Sequence, residues 1–456
     1  MEKENDRFSE LANAPVGRLL WKYSLPAIVG MMVMSLYNVI DRIYIGHGVG
    51  PDAIEGLTIT FPVMNISVAF GVLIGAGASA RISIVLGMGN KRLAERILGN
   101  SFVMTLIFGT FYIAMFGLFM EPLLRLFGAS DSSLPYAYEF MMYILPGLMF
   151  NNITFSYNNV MRATGYPVRA MVSMFIGAGL NVILAPIFIF GLKWGIKGAA
   201  IATDIAMGVS MLFVLWHFVQ PTSTIHFKRG TFQLSAGVLL PVIAIGAAPC
   251  IVNTAGCLVN AVINNTLQGY GGANVAAMGI SVTFIQLLIT FVLGLCLGMQ
   301  PIVGYNYGAR KFNRLKRTYW LCVAVATAVC TLGTVFGQAT PGLIARMFTT
   351  HPGQIAASEH ALRIITWVFW GAGFQVVSTN FFQALGDAAK SIFMSLSRQV
   401  LFMFPLLLIL PSFMGLDGVW FAFPVSDLAA FLIAVVLVLV KFRDINRLAA
   451  NEGLRA

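Results

Sequence analysis

Two aspartates interrupt apolar stretches of the sequence, where a charged side chain is costly to place. Asp41 lies within residues 24–50, and Asp204 directly follows Thr203 in IKGAAIATDIAMG. A carboxylate in such a setting is by default a site for a cation or a proton, or else the partner of a nearby base. Asp41 is therefore either a binding site or an interfacial residue beside the adjacent Arg42.

The two carboxylates are expected at similar depths. At 1.5 Å per helical residue, Asp41 lies roughly 13 Å from the helix end at Gly50, and Asp204 roughly 10 Å from the end at Lys197. A pair of carboxylates would suit proton binding, and its oxygens could equally ligate Na⁺. The alternative is that Asp204 faces the opposite way, toward Arg81.

A second set of charges lies in the second half of the chain, at Arg398 in SLSRQV and Asp427 in FPVSDLAAF. Arg398 follows Lys390 by about 8 residues, and Asp427 precedes Lys441 by about 14, so a long arginine side chain can reach the carboxylate. We interpret them as a structural ion pair, with a share in gating or substrate binding as the alternative.

The elements that hold these residues are membrane helices. Of the 456 residues, 58% are hydrophobic and only 10% are charged, with a mean hydropathy of +0.81. A helix needs about 20 apolar residues to cross a bilayer, and about twelve such segments can be drawn with short polar joints. The sequence predicts an all-α membrane protein with twelve transmembrane helices.

Basic residues are distributed unevenly between the joints. Alternate joints, one of which holds Arg162 and Arg169, carry about 21 basic residues in all, and the others carry about 5. This positive-inside bias places both termini in the cytoplasm. It also explains the net charge of +11 without nucleic acid. We expect a multi-pass protein of a bacterial cytoplasmic (inner) membrane.

The sequence repeats itself at a shift of about 220 residues. Four matches carry the repeat: GMGNKRLAER with NYGARKFNRLKR, AYE with ASE, RATGYPVRAM with QALGDAAKSI, and GIKGAAIA with GLDGVWFA. Such a repeat indicates two six-helix lobes with the same orientation and a substrate path between them. We assign residues 1–220 to the first lobe, 221–233 to a cytoplasmic linker and 234–456 to the second lobe.

Several long motifs resemble the multidrug and toxic compound extrusion (MATE) transporters, most closely their MepA-like bacterial branch. They include LYNVIDRIYIGHGVGPDAI, GLCLGMQPIVGYNYGARKFNRLKR, NFFQALGDAAKS and GLDGVWFAFPVSD. The resemblance covers nearly the whole chain. It implies a V-shaped fold and export of bulky, mostly cationic and apolar compounds in exchange for Na⁺ or H⁺.

The resemblance also implies a coupling-ion site in the first lobe. Matched by motif, the site residues of one branch of the family fall on Asp41, Asn181, Ala185 and Thr203, so that Na⁺ would bind at Asp41, Asn181 and Thr203. Ala185 departs from the family pattern, which has an acid there. We hypothesise that Asp204 supplies the missing negative charge.

Methionine and aromatic side chains could line an adaptable apolar cavity, which would explain a broad substrate range. Periodicity does not say which helix face points inward, so only some of the candidates are expected to do so. The candidate cavity residues are Met31, Met34, Met64, Phe155, Tyr157, Gln300 and Phe381.

These features predict an antiporter, coupled to Na⁺ or H⁺, that exports cationic amphiphilic drugs by alternating access. No cofactor beyond the coupling ion is expected, and the protein should be monomeric. The nearest alternative, a flippase for lipid-linked oligosaccharides or other lipids, would need cationic residues lining the cavity. An enzyme is disfavoured, because no Walker, HExxH or nucleophile-elbow motif is present.

Overall fold

The computed structural model describes residues 10–49, 51–131 and 133–453. Three residues of the charge count, Lys3, Arg7 and Arg455, lie outside this range, and so does the side chain of Arg42. The described residues form long helices joined by short turns. We label the twelve that cross the molecule α1 to α12.

The first lobe contains six of these helices, and a π-helical turn over Ile187–Gly191 extends α5. Their bounds are α1 Val16–Gly48, α2 Pro51–Gly87, α3 Lys91–Leu118, α4 Leu134–Ala163, α5 Pro167–Pro186 and α6 Gly195–Val219. A short helix, Met120–Leu126, follows α3.

The second lobe repeats this order. Its first three helices and its last one are α7 Ala236–Gln268, α8 Gly272–Gly308, α9 Phe312–Ala339 and α12 Leu416–Gly453. Helix α10 is bent by 58° between Pro352–Ile365 and Phe369–Ala384. Helix α11 runs through Ala388–Leu396, a π-helical segment Ser397–Met403 and Phe404–Met414. The short helix Pro341–Arg346 precedes α10.

Ten helices in the described part of the chain are long and apolar enough to cross a membrane, and the bent pair of α10 makes an eleventh span. The twelfth is α4, which has 30 residues but carries asparagines and an arginine that lower its hydropathy. The predicted all-α fold with twelve membrane helices is confirmed.

The backbone repeats as the sequence does. Three pairs of residues with left-handed φ lie 220 or 221 positions apart: Gly89 with Arg310, Gly165 with Gly386, and Gly195 with Gly415. Each pair sits in equivalent turns, after the second, fourth and fifth helices of a lobe. Glycine suits these turns because it has no Cβ to oppose a positive φ.

Where the lobes meet, the beginning of one helix from each lobe packs in the hydrophobic core of the other lobe. Leu19, Leu20 and Tyr23 of α1 pack in the hydrophobic core of the second lobe. Val238 and Val242 of α7 pack in that of the first lobe. The predicted boundary is thus crossed in space by the beginning of α1 and the beginning of α7.

The backbones of the two lobes approach closely toward one end of the molecule. This end carries the first and last described residues, with Leu11 and Ala449 in one core, and we call it the inner end. A Cβ added to Gly246 of α7 would lie 1.6 Å from the Leu73 carbonyl oxygen of α2. A Cβ on Gly298 of α8 would lie 2.5 Å from the Ser24 nitrogen of α1. Small residues allow this contact, as in other helix pairs within membranes. The two lobes join here to form the V-shaped fold.

Candidate functional site

A cavity of about 360 Å³ lies between the lobes. This volume is within the range of small-molecule sites, about 300–1,000 Å³. Helices α1, α2, α4, α5 and α6 line one side, and α7, α8 and α10 line the other. The apolar part of the wall consists of aliphatic, aromatic and methionine side chains: Met31, Met34, Val68, Val72, Phe155, Met174, Met207, Leu293 and Leu297.

The polar part of the wall consists mainly of amides. They are Asn151, Asn158, Asn159, Asn181, Asn253, Gln300, Asn380 and Gln383. Arg162 is the one charged residue among the described residues of the lining, which include no carboxylate. The sequence assigned Arg162 to an inner joint because it ends a helix. The fold instead turns its side chain toward the cavity.

Four of the predicted cavity residues, Met31, Met34, Phe155 and Gln300, line the cavity. The other three do not, and their assignment to the cavity is corrected. They are Met64, Tyr157 and Phe381.

Each of these three faces its own lobe, because a helix turns successive side chains in different directions. Tyr157 is 1% exposed and donates a hydrogen bond to the Leu98 carbonyl oxygen at 2.8 Å. Phe381 is fully buried against Tyr319, and Met64 packs on the core of the first lobe.

The predicted coupling residues Asn181 and Thr203 are in direct contact. Asn181 on α5 donates from Nδ2 to Thr203 Oγ1 on α6 at 2.7 Å. Thr203 in turn donates to the Ala199 carbonyl oxygen at 2.9 Å. The Oδ1 atom of Asn181 is buried and accepts no hydrogen bond, so it is an unsatisfied acceptor beside the cavity.

Tyr37 joins this pair to Asp41. Asn181 Nδ2 also lies 3.4 Å from the Tyr37 hydroxyl oxygen, and the Asp41 carboxyl group is close enough to act electrostatically on that hydroxyl. Tyr37 and Asp41 are one turn apart on α1, so they share a face. Sequence reasoning missed Tyr37, and its spacing of four residues from Asp41 was the available signal.

Asp204 faces a different helix. A Cβ on Gly147 of α4 would lie 1.8 Å from Asp204 Oδ1, so this carboxylate packs against α4. Its neighbour Thr203 contacts Asn181 on α5 instead. The two side chains differ in direction because adjacent helical residues point about 100° apart. Among the described residues, Asp204 forms no ion pair with Arg81.

Arg398 and Asp427, which the sequence pairs, lie in contact. Arg398 Nε, in the π-helical segment of α11, donates to Asp427 Oδ1 of α12 at 2.6 Å. The carboxylate is 5% exposed. Neither residue lines the described cavity, and their structural role remains a prediction.

Two repeated six-helix lobes around a cavity of this size define a membrane transporter of small molecules. The MatE family profile matches residues 26–187 and 245–409. The chain belongs to this family, and the resemblance identified from sequence motifs is confirmed. Members of the family are transporters, not enzymes, and they need no cofactor.

Similar proteins cover almost the whole chain. The multidrug export protein MepA of Staphylococcus haemolyticus is 25% identical over 441 residues, covering 96% of this chain and 95% of its own. The FAD transporter of Shewanella oneidensis is 28% identical over 427 residues, covering 92% and 93%. A solved structure of the MATE multidrug transporter DinF-BH is 34% identical, with a TM-score of 0.88 and coverage of 95% and 97%.

Proposed function

We propose that this protein is an antiporter that exports amphiphilic organic compounds, cationic drugs included, in exchange for Na⁺ or H⁺. The observation that carries the proposal is the cluster of Asp41, Tyr37, Asn181 and Thr203 beside the cavity. A cation bound at these oxygens and a compound in the cavity would contact the same helices. Each ligand shifts the equilibrium between the two states of the lobes through its different affinity for them.

We also propose the location, topology and oligomeric state that the sequence predicts. The protein would act as a monomer in a bacterial inner membrane, with both termini in the cytoplasm. Asp204 is a candidate second carboxylate for coupling. Its carboxylate projects from α6 against Gly147 of α4, away from the Asn181–Thr203 pair.

A second candidate function is export of an anionic solute or of a lipid. Arg162 in the cavity lining favours it, because a flippase or an anion exporter needs positive charge there. The similar protein from Shewanella oneidensis is named for FAD, a phosphate-bearing compound.

The coupling proposal can be tested in proteoliposomes loaded with the cationic dye ethidium. Na⁺ and pH gradients are imposed separately on the wild type, on Asp41→Asn and on Asp444→Asn, a control at an exposed aspartate near the end of α12. Dye movement should follow at least one gradient in the wild type and in the control. Asp41→Asn should lose this dependence, since an amide carries no negative charge. Gradient-independent movement in the wild type would contradict the proposal.

A further inference from the structure

The inner end of the cavity has a polar floor built from equivalent positions of the two repeats. Asn159 and Arg162 are three residues apart at the end of α4, and Asn380 and Gln383 are three residues apart at the end of α10. The two pairs differ by 221 positions, and all four residues line the cavity. The floor thus has amides on both sides but a positive charge on one side only.

Arg162 is a buried charge without a counterion. The residue is 4% exposed, and its Nη2 donates to Asn159 Oδ1 at 2.8 Å. Its Nε has no hydrogen-bond partner, and no carboxylate in the described part of the chain pairs with it. Burying an unpaired charge is costly, so such a group is normally compensated by an opposite charge.

Part of the compensation comes from the fold itself. Arg162 lies in the last turn of α4, where the helix dipole favours a cation. This effect does not supply an acceptor for the unused Nε–H, which needs an atom at hydrogen-bond distance. Arg162 therefore stands in the cavity lining with an unsatisfied donor, and an anionic group of a ligand in the cavity would compensate its charge.

The other floor residues can assist an anion. Gln300 on α8 donates from Nε2 to Asn380 Oδ1 at 3.0 Å, and its amide retains a second N–H. Gln383 also brings N–H groups to the lining. Above the floor, the wall of methionine, leucine and phenylalanine side chains suits an apolar body rather than a second charge.

We infer that the cavity floor binds the phosphate or carboxylate group of an amphiphilic substrate, with Arg162 as its counter-charge. The inference rests on the second candidate function, export of an anionic solute or a lipid, and names the chemical group that the cavity recognises. Guanidinium groups bind such anions through two parallel hydrogen bonds, which gives both strength and orientation. The anion could belong to a water-soluble compound or to a lipid headgroup.

Two fluorescent probes with the same ring system test the inference: riboflavin 5′-phosphate and riboflavin, which lacks the phosphate. Binding to the detergent-purified protein is measured by titration without any ion gradient. The wild type should bind the phosphorylated probe about tenfold more tightly or better, the range expected for a charge-assisted hydrogen bond. Short-chain phosphatidate and phosphatidylcholine, added as competitors, distinguish a lipid headgroup from a soluble anion.

Arg162→Gln gives the first lobe the residue that the second lobe has at position 383. This variant should lose the preference for the phosphate, so that its affinities for the two probes become similar. Arg162→Lys should retain part of the preference, and Arg443→Gln, which removes an exposed arginine outside the cavity, should retain all of it.

Equal affinity of the wild type for the two probes would overturn the inference, and this comparison needs no variant. An unchanged preference in Arg162→Gln would overturn it as well, because a merely structural arginine does not discriminate ligand charge. Since no gradient is imposed, these outcomes are independent of the ethidium efflux assay. Ion-driven transport can therefore fail or succeed separately from anion binding.

Discussion

The ion pair of Arg398 and Asp427 lies where water screens charges weakly. Asp427 is 5% exposed, and the arginine side chain is 24% exposed. A buried pair is weak evidence for stability as such, because desolvation offsets most of the attraction. Removing one partner is different, since it leaves the other charge buried and unpaired. The pair is therefore best examined by comparing single and double variants.

We predict that Arg398→Ala and Asp427→Ala each destabilise the protein, by roughly 3–5 kcal/mol for a fully broken buried pair. The exchanged variant Arg398→Asp with Asp427→Arg should recover part of this loss. Thermal unfolding of the purified protein, followed by tryptophan fluorescence, measures both effects. Glu121→Ala is the control, because its partner Arg125 lies in an exposed ion pair and such pairs stabilise little. Stable single variants that fail in transport would assign the pair a functional role instead.

At the scale of elements, the helices that join the lobes are those that carry glycine at their crossings. Gly77 and Gly246 bring α2 and α7 together, and Gly298 brings α8 against α1. Any state that opens the cavity at the inner end must separate these helices. The close packing at these glycines stabilises the closed inner end, because these contacts form only when the helix backbones meet.

Gly246→Val should shift the protein toward a state that is open at the inner end. The new side chain would meet the Leu73 carbonyl oxygen, so α2 and α7 must move apart. Met88 and Arg317, both exposed, are replaced by cysteine in a background without other cysteines and are spin-labelled. Double electron–electron resonance then measures the distance between the lobes. The mean distance should increase relative to the wild type.

The matched control is Gly117→Val on α3, where an added Cβ meets nothing within 4 Å. It should leave the distance distribution unchanged. Identical distributions for Gly246→Val and Gly117→Val would show that the α2–α7 contact does not hold the lobes closed.

At the scale of the whole molecule, two repeats of six helices fix the relation between the chain ends. An even number of spans puts both ends and the connection between the lobes on one side of the membrane. The charge bias predicts that this side faces the cytoplasm. The connection itself packs on the first lobe, where Asn100 of α3 donates to the Thr231 and Gln233 carbonyl oxygens.

Reporter fusions test this topology. We expect green fluorescent protein to be active when fused after residue 222 and after the last residue, because both positions would be cytoplasmic. Alkaline phosphatase should be active when fused after residues 129 and 193, in outer connections between helices. The reverse pattern of reporter activity would show that the protein has the opposite orientation, and it would not contradict the fold.

The class of the protein could be derived from the sequence because its signals are one-dimensional. Apolar length predicts membrane helices, and the shift of about 220 residues predicts two lobes. Charge bias adds an orientation, which stays a prediction. Motif matches predicted that Asn181 and Thr203 share one site. The distances of Arg398 and Asp427 from their helix ends predicted that these two residues pair. Each of these inferences depends on position along the chain.

The tertiary structure decided which face of each helix meets which neighbour. Thr203 and Asp204 have nearly equal depths, yet one contacts α5 and the other contacts α4. Tyr157 turns into the core of its lobe, while Arg162, one and a half turns further along α4, lines the cavity. Hydropathy is almost uniform around such helices, so the rotation of a helix about its axis is fixed by packing against other helices rather than by its own sequence.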